Sequence, residues 1–108
     1  MLTVAQTFQN MQAHFNPWAA AGLDKTIQID LSGEQGGRWA VKIVNQTVTL
    51  IPGGVDKPDL TLTMSDQNWL ALVEGRLNPM NAFLMGQIKA TGDLPLAMRV
   101  PNLFNMQQ

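Results

Sequence analysis

Three consecutive segments between Thr26 and Ile51 alternate apolar with polar residues, and this pattern constrains the fold more than any other feature of the chain. The apolar positions are Ile27, Ile29, Leu31, Trp39, Val41, Ile43, Val48 and Leu50. A period of two is typical of strands that bury one face and expose the other. A glycine-rich turn at 33–37 and the connector Asn45-Gln46 separate the segments. The pattern therefore predicts an antiparallel meander of three strands.

The segment before the meander has the period of a helix instead. Val4, Phe8, Met11 and Phe15 follow one another at spacings of four, three and four residues. These spacings place the four side chains on one face of an N-terminal helix. We expect Asn16-Pro17 to stop this helix or to begin a short second helical turn that runs to Gly22.

After the meander, the sequence predicts a fourth strand followed by two short helices. The strand is indicated by the alternation of Leu60, Leu62 and Met64 with threonines. Ser65 is a typical N-cap for a helix that ends at Gly75. In the same way, Asn78-Pro79 supplies a cap and a first helical residue for a helix that ends at Gly86.

The last quarter of the chain predicts a fifth strand and a final helix. Ile88 and Ala90 mark the strand, which ends at Gly92. The tail from Leu94 to Met106 predicts a short helix that is broken or restarted at Pro101, because proline cannot donate the helical hydrogen bond. Helices and strands do not alternate regularly along the chain, so we expect a single α+β domain over residues 1–108.

Composition excludes several classes of protein. Only 14% of the residues are charged, against about 25% in typical soluble domains. Seven basic residues are scattered among eight acidic ones, so no nucleic-acid surface is predicted. No apolar run is long enough to span a membrane, and the N-terminus lacks the features of a secretory signal. With no cysteine and no targeting signal, we expect a cytoplasmic protein without disulfides.

The residues that could perform chemistry are few. His14 is the only histidine, and neither Ser32 nor Ser65 has a partner in a recognisable catalytic motif. Asp56 and Asp59 lie in a loop without the spacing of a metal site. We therefore predict no catalytic residue, no bound metal, no cofactor and no enzymatic activity.

The apolar residues are concentrated in two segments, from Trp69 to Ile88 and from Leu94 to Met106. Four of the seven methionines lie in these segments. Methionine is flexible and polarisable, and it adapts to apolar partners of different shapes. The pattern by itself leaves three interpretations open, namely a structural core, a ligand cavity or an interface with another protein.

The second half of the chain resembles the sterol carrier protein-2-like lipid-binding family. The matching segments are PDLTLTMSD, LALVEGRLNP, AFLMGQIKATGD and LAMR, in that order between Pro58 and Arg99. The first half is similar only in its leading helix and in the hairpin TIQIDLSG and RWAVKIVN. The absence of a long tail or of a peroxisomal signal suggests a stand-alone prokaryotic type.

The resemblance implies a five-stranded, mostly antiparallel sheet covered on one face by helices, with a hydrophobic tunnel between the layers. It also implies non-catalytic binding and transfer of a fatty acid, acyl-CoA, phospholipid, isoprenoid or sterol-like molecule, with transient membrane contact. An alternative within the family is an accessory or dimerisation subunit, for example in quinone biosynthesis, or a domain appended to an alkyl-sulfatase-like enzyme. A monomer or a homodimer is expected.

The same resemblance implies which side chains line the tunnel. The candidates are Phe15, Trp39, Trp69, Leu72, Val73, Phe83, Leu84, Met85, Ile88, Met98, Leu103 and Phe104. Two positions depart from the family pattern. Met85 stands where many animal members have a glutamine that can reach a polar head group, and Pro95 stands where glycine is common. The first change implies a less polar site, and the second implies a stiffer start to the last helix.

Overall fold

The structure is a computed structural model, and it describes residues 3–104. The predictions made for Met106 therefore lie outside the described residues. In chain order the elements are α1 (Val4–His14), β1 (Asp24–Ser32), β2 (Gly37–Val44), β3 (Thr47–Pro52), β4 (Leu60–Ser65), α2 (Asp66–Val73), α3 (Pro79–Leu84), β5 (Lys89–Gly92) and α4 (Leu94–Leu103). No helix in this part of the chain has the length and apolarity needed to cross a bilayer.

The five strands form one mixed sheet in the order β3-β2-β1-β4-β5. Strands β1 to β3 pair antiparallel, which confirms the predicted meander, and β4 pairs antiparallel with β5. The parallel pair is β1 with β4. Asn45 and Gln46, with φ of 52° and 61°, form the two-residue turn between β2 and β3. An α+β fold with a mostly antiparallel sheet is therefore confirmed.

The register of the sheet places the apolar residues of neighbouring strands on one face. Ile27 lies opposite Val41 on β2 and opposite Leu60 on β4. All three side chains are buried. The helices cover this face, because burial against the sheet removes their own apolar sides from water.

An aromatic stack connects this sheet face to two of the helices. The ring of Phe8 on α1 lies between the rings of Trp39 on β2 and Trp69 on α2. The distances between ring centroids are 4.6 and 4.9 Å, and the interplanar angles are 13° and 9°. Phe8 and Trp69 are almost completely buried. This stack fixes α1 and α2 relative to the sheet.

The ends of α2 and α3 confirm the capping residues that the sequence predicted. The Ser65 hydroxyl accepts a hydrogen bond from the Asn68 amide at 3.1 Å. The side-chain oxygen of Asn78 accepts from the amides of Met80 and Asn81, at 2.9 and 3.1 Å. Gly75 and Gly86 follow the two helices with positive φ, as is typical of helix C-termini.

One detail of the sequence prediction was wrong. Helix α4 runs through Pro101 without a break, because the proline lies near the helix end and the following Leu103 and Phe104 are buried in the core. The prediction for Asn16-Pro17 is confirmed: α1 ends at His14, and the Asn16 side chain accepts from the Trp18 and Ala19 amides, at 3.1 and 3.4 Å, at the start of a turn that reaches Gly22. The predicted fifth strand is present, but it begins at Lys89, one residue after Ile88.

Replacing Phe8 tests the importance of the aromatic stack. We expect Phe8→Ala to lower the free energy of unfolding by about 3–5 kcal/mol, because it removes a buried ring from between two others. Phe8→Leu, which keeps most of the apolar volume, should cost clearly less. Urea unfolding followed by circular dichroism measures both losses. Equal losses for the two variants would contradict a specific role for the stacked ring.

Candidate functional site

A cavity of about 440 Å³ lies between the sheet and helices α2, α3 and α4. Strands β4 and β5 supply its floor, and the three helices supply its walls. The lining residues are Leu62, Met64, Trp69, Leu72, Pro79, Met80, Phe83, Ile88, Ala90, Leu94, Pro95, Ala97, Met98, Val100, Pro101 and Asn102. The volume falls within the range of about 300–1,000 Å³ that is usual for small-molecule sites.

The cavity has a buried interior and an exposed rim. Leu62, Trp69 and Val100 are among the buried residues of its interior. At the rim lie four large apolar side chains, whose exposed fractions range from 41% to 55%; they are Met80, Phe83, Leu94 and Met98. The opening is therefore bordered by α3 on one side and by α4 on the other.

The chemistry of the lining is almost entirely apolar. Of the described lining residues, Asn102 is the only one with a polar side chain apart from the Trp69 ring. The indole nitrogen of Trp69 donates to the Thr7 hydroxyl at 2.7 Å, and that hydroxyl donates to the Val4 carbonyl at 2.6 Å. The polar atom of Trp69 is thus already bonded to a neighbour. Such a lining favours an apolar ligand with at most one polar end.

Local sequence explains how β4, α2 and β5 come to share this cavity. Leu62 and Met64 project to the same side of β4, because alternate residues of a strand face the same way. Ala90 on β5 is paired with Leu62 across the two strands. Helix α2 begins directly after β4, so that its Trp69 and Leu72 lie over the same part of the sheet.

Helix α4 is held at both of its ends. At its start, the Asp93 carboxylate accepts from the Leu96 amide at 3.1 Å and pairs with the Lys25 ammonium at 3.1 Å. At its end, the Leu103 carbonyl accepts from the Asn16 amide at 2.7 Å. These contacts keep α4 in place over the cavity.

The Asp93 contacts also change the acidity of both ionisable groups. The hydrogen bond from the Leu96 amide, and after it the hydrogen bond from Lys25, lowers the pKa of Asp93 below its ordinary value of 3.8. The hydrogen bond to Asp93, and after it the negative charge of that residue, raises the pKa of Lys25 above 10.5. Both groups are therefore charged at neutral pH.

Five of the twelve predicted tunnel residues line the cavity; they are Trp69, Leu72, Phe83, Ile88 and Met98. The other seven lie outside the lining; they are Phe15, Trp39, Val73, Leu84, Met85, Leu103 and Phe104. Ligand contact by the first group remains a prediction.

The residues outside the lining have other surroundings. Trp39 stacks on Phe8, and Phe15 packs against Phe104 with ring centroids 5.6 Å apart. Val73 is half-buried against the core, and Leu103 is buried within it. Leu84 and Met85 are 73% and 77% exposed. Leu84 lies about 100° further around α3 than Phe83, Met85 caps the helix, and neither side chain is part of the cavity lining.

Sequence reasoning missed eleven lining residues; they are Leu62, Met64, Pro79, Met80, Ala90, Leu94, Pro95, Ala97, Val100, Pro101 and Asn102. Part of this set had a usable signal. Positions 97, 98 and 101 lie three, four and seven residues after position 94. This helical spacing predicts that the four side chains share one face of the helix. Because the helix was expected to break at Pro101, these four positions were not recognised as one helical face.

The described part of the chain offers little for metal or acid-base chemistry. Within residues 3–104, no group of three or more histidine, aspartate or glutamate side chains lies close enough to hold a metal ion. The cavity lining carries no charged side chain among its described residues. With this lining, the cavity can enclose an apolar molecule.

A helix-covered mixed sheet with an apolar cavity between its layers defines the class of the chain as an α+β domain with an internal apolar site. Residues 5–105 match the SCP-2 sterol transfer family. The chain belongs to this family. Membership supports apolar lipid binding and transfer as its general function, and proteins with this domain are in general lipid carriers without catalytic activity.

Individual relatives agree with this assignment. Human sterol carrier protein 2 is 39% identical over 74 residues, which are 68% of this chain and 14% of the relative. The chain thus spans only a small part of that protein. The solution structure of palmitated SCP2L2 from Aedes aegypti has a TM-score of 0.82 at 21% identity, and the match covers 99% of this chain and 98% of that one. The UbiJ-SCP2 ubiquinone synthesis protein has a TM-score of 0.76 at 13% identity, over 96% and 94% of the two chains. The two structural likenesses show the fold.

Two substitutions at Asp93 separate the effects of its cap and its charge. Asp93→Ala should lower the free energy of unfolding at neutral pH, because it removes the acceptor for the Leu96 amide and the partner of Lys25. Asp93→Asn keeps a capping acceptor and loses only the charge. Because folding lowers the pKa of Asp93, its charge contributes stability above about pH 4, and this contribution is lost as the pH falls through the lowered pKa.

Urea unfolding between about pH 7 and pH 2 checks this expectation. The wild type should lose more stability over this interval than Asp93→Asn does. Identical pH profiles for the two proteins would show that the Asp93 charge does not stabilise the helix.

Proposed function

We propose that the chain is a single non-catalytic domain that binds one long-chain lipid in the cavity and carries it to a membrane or to a partner protein. The observation that carries this proposal is the apolar lining of the 440 Å³ cavity together with its exposed rim. Family membership and the palmitated state of the structurally similar Aedes aegypti protein support it. Within this proposal, a cytoplasmic location follows the sequence prediction.

The size of the cavity favours a single acyl chain among the ligands that the family implies. If each chain carbon needs about the volume of a water molecule, roughly 30 Å³, the cavity accommodates on the order of fifteen carbons. Burial gains about 0.8 kcal/mol per methylene, so ten methylenes contribute about 8 kcal/mol. Association costs of at least about 4 kcal/mol reduce this gain. We therefore expect micromolar or weaker binding with loose selectivity for chain length.

The polar end of such a ligand has one suitable neighbour in the lining. Asn102 is exposed, and its amide can both donate and accept hydrogen bonds. One helical turn earlier, the Ala97 carbonyl lacks its usual helical donor, because Pro101 has no N–H to give. We propose that a carboxyl, ester or hydroxyl group lies beside Asn102 while the chain occupies the interior.

A second candidate function is that of an accessory lipid-binding subunit. The likeness to the UbiJ-SCP2 ubiquinone synthesis protein is the observation that favours it. In that role the same cavity would present a lipid to an enzyme, and the exposed apolar side chains would form an interface. A stable homodimer that binds a lipid but does not transfer it between vesicles would support this second function over the first.

Filling the cavity tests the carrier function. Ala97→Trp places a large ring in the lining, so we expect the uptake of a fluorescent sixteen-carbon fatty acid to fall by about tenfold or more. Ala13→Trp on the exposed part of α1 adds the same ring outside the cavity and should leave uptake unchanged. Circular dichroism confirms that both variants are folded. Unchanged uptake by Ala97→Trp would contradict binding in this cavity.

Replacing Asn102 tests the position of the polar end. Removing one hydrogen bond worth about 1 kcal/mol predicts that Asn102→Leu binds palmitate about fivefold more weakly. Asn81→Leu makes the same change at an exposed position of α3 outside the lining, and it should leave the palmitate Kd unchanged. Calorimetric titration measures both constants. Tighter or equal binding by Asn102→Leu would place the polar end elsewhere.

A further inference from the structure

Methionine is the only sulfur-containing residue of this chain, which has no cysteine. Among the described residues the methionines fall into two groups. Met11 and Met64 are buried, whereas Met80 and Met98 are 45% and 55% exposed and Met85 is more exposed still. An oxidant must reach the sulfur atom in order to react with it. In the folded protein the exposed group is therefore oxidised first.

Two of the exposed methionines also line the cavity. Met80 lies on α3 and Met98 on α4, the two helices that border the opening. Met85 is exposed but lies outside the lining, and Met64 belongs to the lining but is buried. Among the described methionines, Met80 and Met98 are thus the two that combine an accessible sulfur with a place in the lining.

Oxidation changes the property on which loading with an apolar ligand depends. The thioether reacts with hydrogen peroxide in one two-electron step, in which the sulfur lone pair forms a bond to one peroxide oxygen and the O–O bond breaks. The leaving hydroxide takes up the proton of the transferred oxygen and departs as water. The sulfur is oxidised to a sulfoxide, and the peroxide is reduced. A flexible apolar side chain thereby becomes a polar one.

The lining has little to offer to the new polar groups. Among the described lining residues, the side chains with N–H donors are Asn102 and Trp69. The indole N–H of Trp69 already donates to the Thr7 hydroxyl at 2.7 Å. With one side-chain donor left for two sulfoxide oxygens, at least one of them depends on water for its hydrogen bonds. A bound acyl chain would displace that water, and the burial of an unpaired polar group opposes binding.

The empty protein tolerates the same change. Because Met80 and Met98 are half-exposed, their sulfoxide oxygens remain in contact with solvent and the fold loses little. Met11 and Met64 belong to the hydrophobic core, where a sulfoxide would be buried without water. The position of the accessible sulfurs therefore allows oxidation to change binding without unfolding the domain.

We propose that Met80 and Met98 form a modification site, at which peroxide makes the cavity opening polar and prevents lipid loading. This inference rests on the proposed carrier function, because it concerns the same cavity. The modification is reversible: a methionine sulfoxide reductase supplied with a dithiol restores the thioether, while the sulfoxide oxygen leaves as water and the dithiol becomes a disulfide. The oxidation state of two side chains thus controls whether the domain accepts a ligand.

Peroxide treatment of the folded protein tests this proposal. Peptide mass spectrometry follows each methionine, and calorimetric titration gives the palmitate Kd. We expect Met80, Met85 and Met98 to be oxidised before Met11 and Met64, with an unchanged circular dichroism spectrum. The palmitate Kd should rise by about tenfold or more, and treatment with the two sulfoxide reductases and dithiothreitol should restore it.

The outcomes separate this inference from the carrier function. An equal palmitate Kd before and after complete oxidation of Met80 and Met98 would overturn the modification site and leave the carrier function intact. A wild type that binds no palmitate before oxidation would contradict the carrier function and the modification site together.

Leucine variants identify the sulfurs that are responsible. The double variant Met80→Leu, Met98→Leu keeps the apolar volume, so its palmitate Kd should stay within about twofold of the wild-type value and should not respond to peroxide. Met85→Leu is the matched control, because it removes an exposed sulfur outside the lining and should remain sensitive to peroxide. A double variant that still loses palmitate binding after peroxide treatment would assign the effect to another methionine and overturn the proposal.

Protection by the ligand provides an independent check. At a palmitate concentration of about ten times the Kd, only about a tenth of the protein is empty, so oxidation of Met80 and Met98 should slow by about threefold or more. Met85 lies outside the lining, and its oxidation rate should not change. Unchanged rates at Met80 and Met98 would show that the ligand does not cover these sulfurs, which would contradict the proposal.

Discussion

The arrangement of the whole site depends on the stacking of Phe8 between Trp39 and Trp69. The stack joins α1 near the N-terminus, the second strand and the helix that follows β4, which are distant in sequence. Trp69 has a second role, because its ring forms part of the cavity wall. The Thr7 hydroxyl accepts a hydrogen bond from the Trp69 indole N–H, so this donor is not left unpaired in apolar surroundings. A residue pair on α1 thus determines both the position and the polarity of a wall that α1 itself does not reach.

Helix α4, which forms another wall of the cavity, is stabilised in a different way. Helix α4 contributes few buried side chains over the cavity, and its position depends on hydrogen bonds at its two ends and on the burial of Leu103. Small side chains such as Ala90 on β5 and Ala97 on α4 line the space where a structural core would place larger ones. The cavity exists because these residues do not fill the volume between two firmly held layers.

Local patterns predicted the fold well because each element carries its own signal. Alternation defined β1 to β4, and side-chain caps at Ser65 and Asn78 defined the starts of α2 and α3. The site was predicted only in part, since the rotation of each helix relative to the sheet decides which of its side chains line the cavity. A rotation of about 100° per residue separates Phe83 from Leu84, and an apolar sequence does not reveal which of the two faces inward. The continuity of α4 through Pro101 depends on the burial of later residues, which local propensity does not encode.

The exposed rim is a physical consequence of the cavity itself. An enclosed apolar void costs about 24 cal/mol per Å³, so a sealed and empty space of 440 Å³ would cost about 10 kcal/mol. That cost is comparable with the total stability of a domain, about 5–15 kcal/mol. A chain of this size can hold such a volume only if the space opens to solvent or is filled by a ligand. Opening it exposes Met80, Phe83, Leu94 and Met98, and these are side chains that a bound acyl chain would lie against. The apolar surface that makes the empty protein less stable is therefore the same surface that favours loading with an apolar ligand.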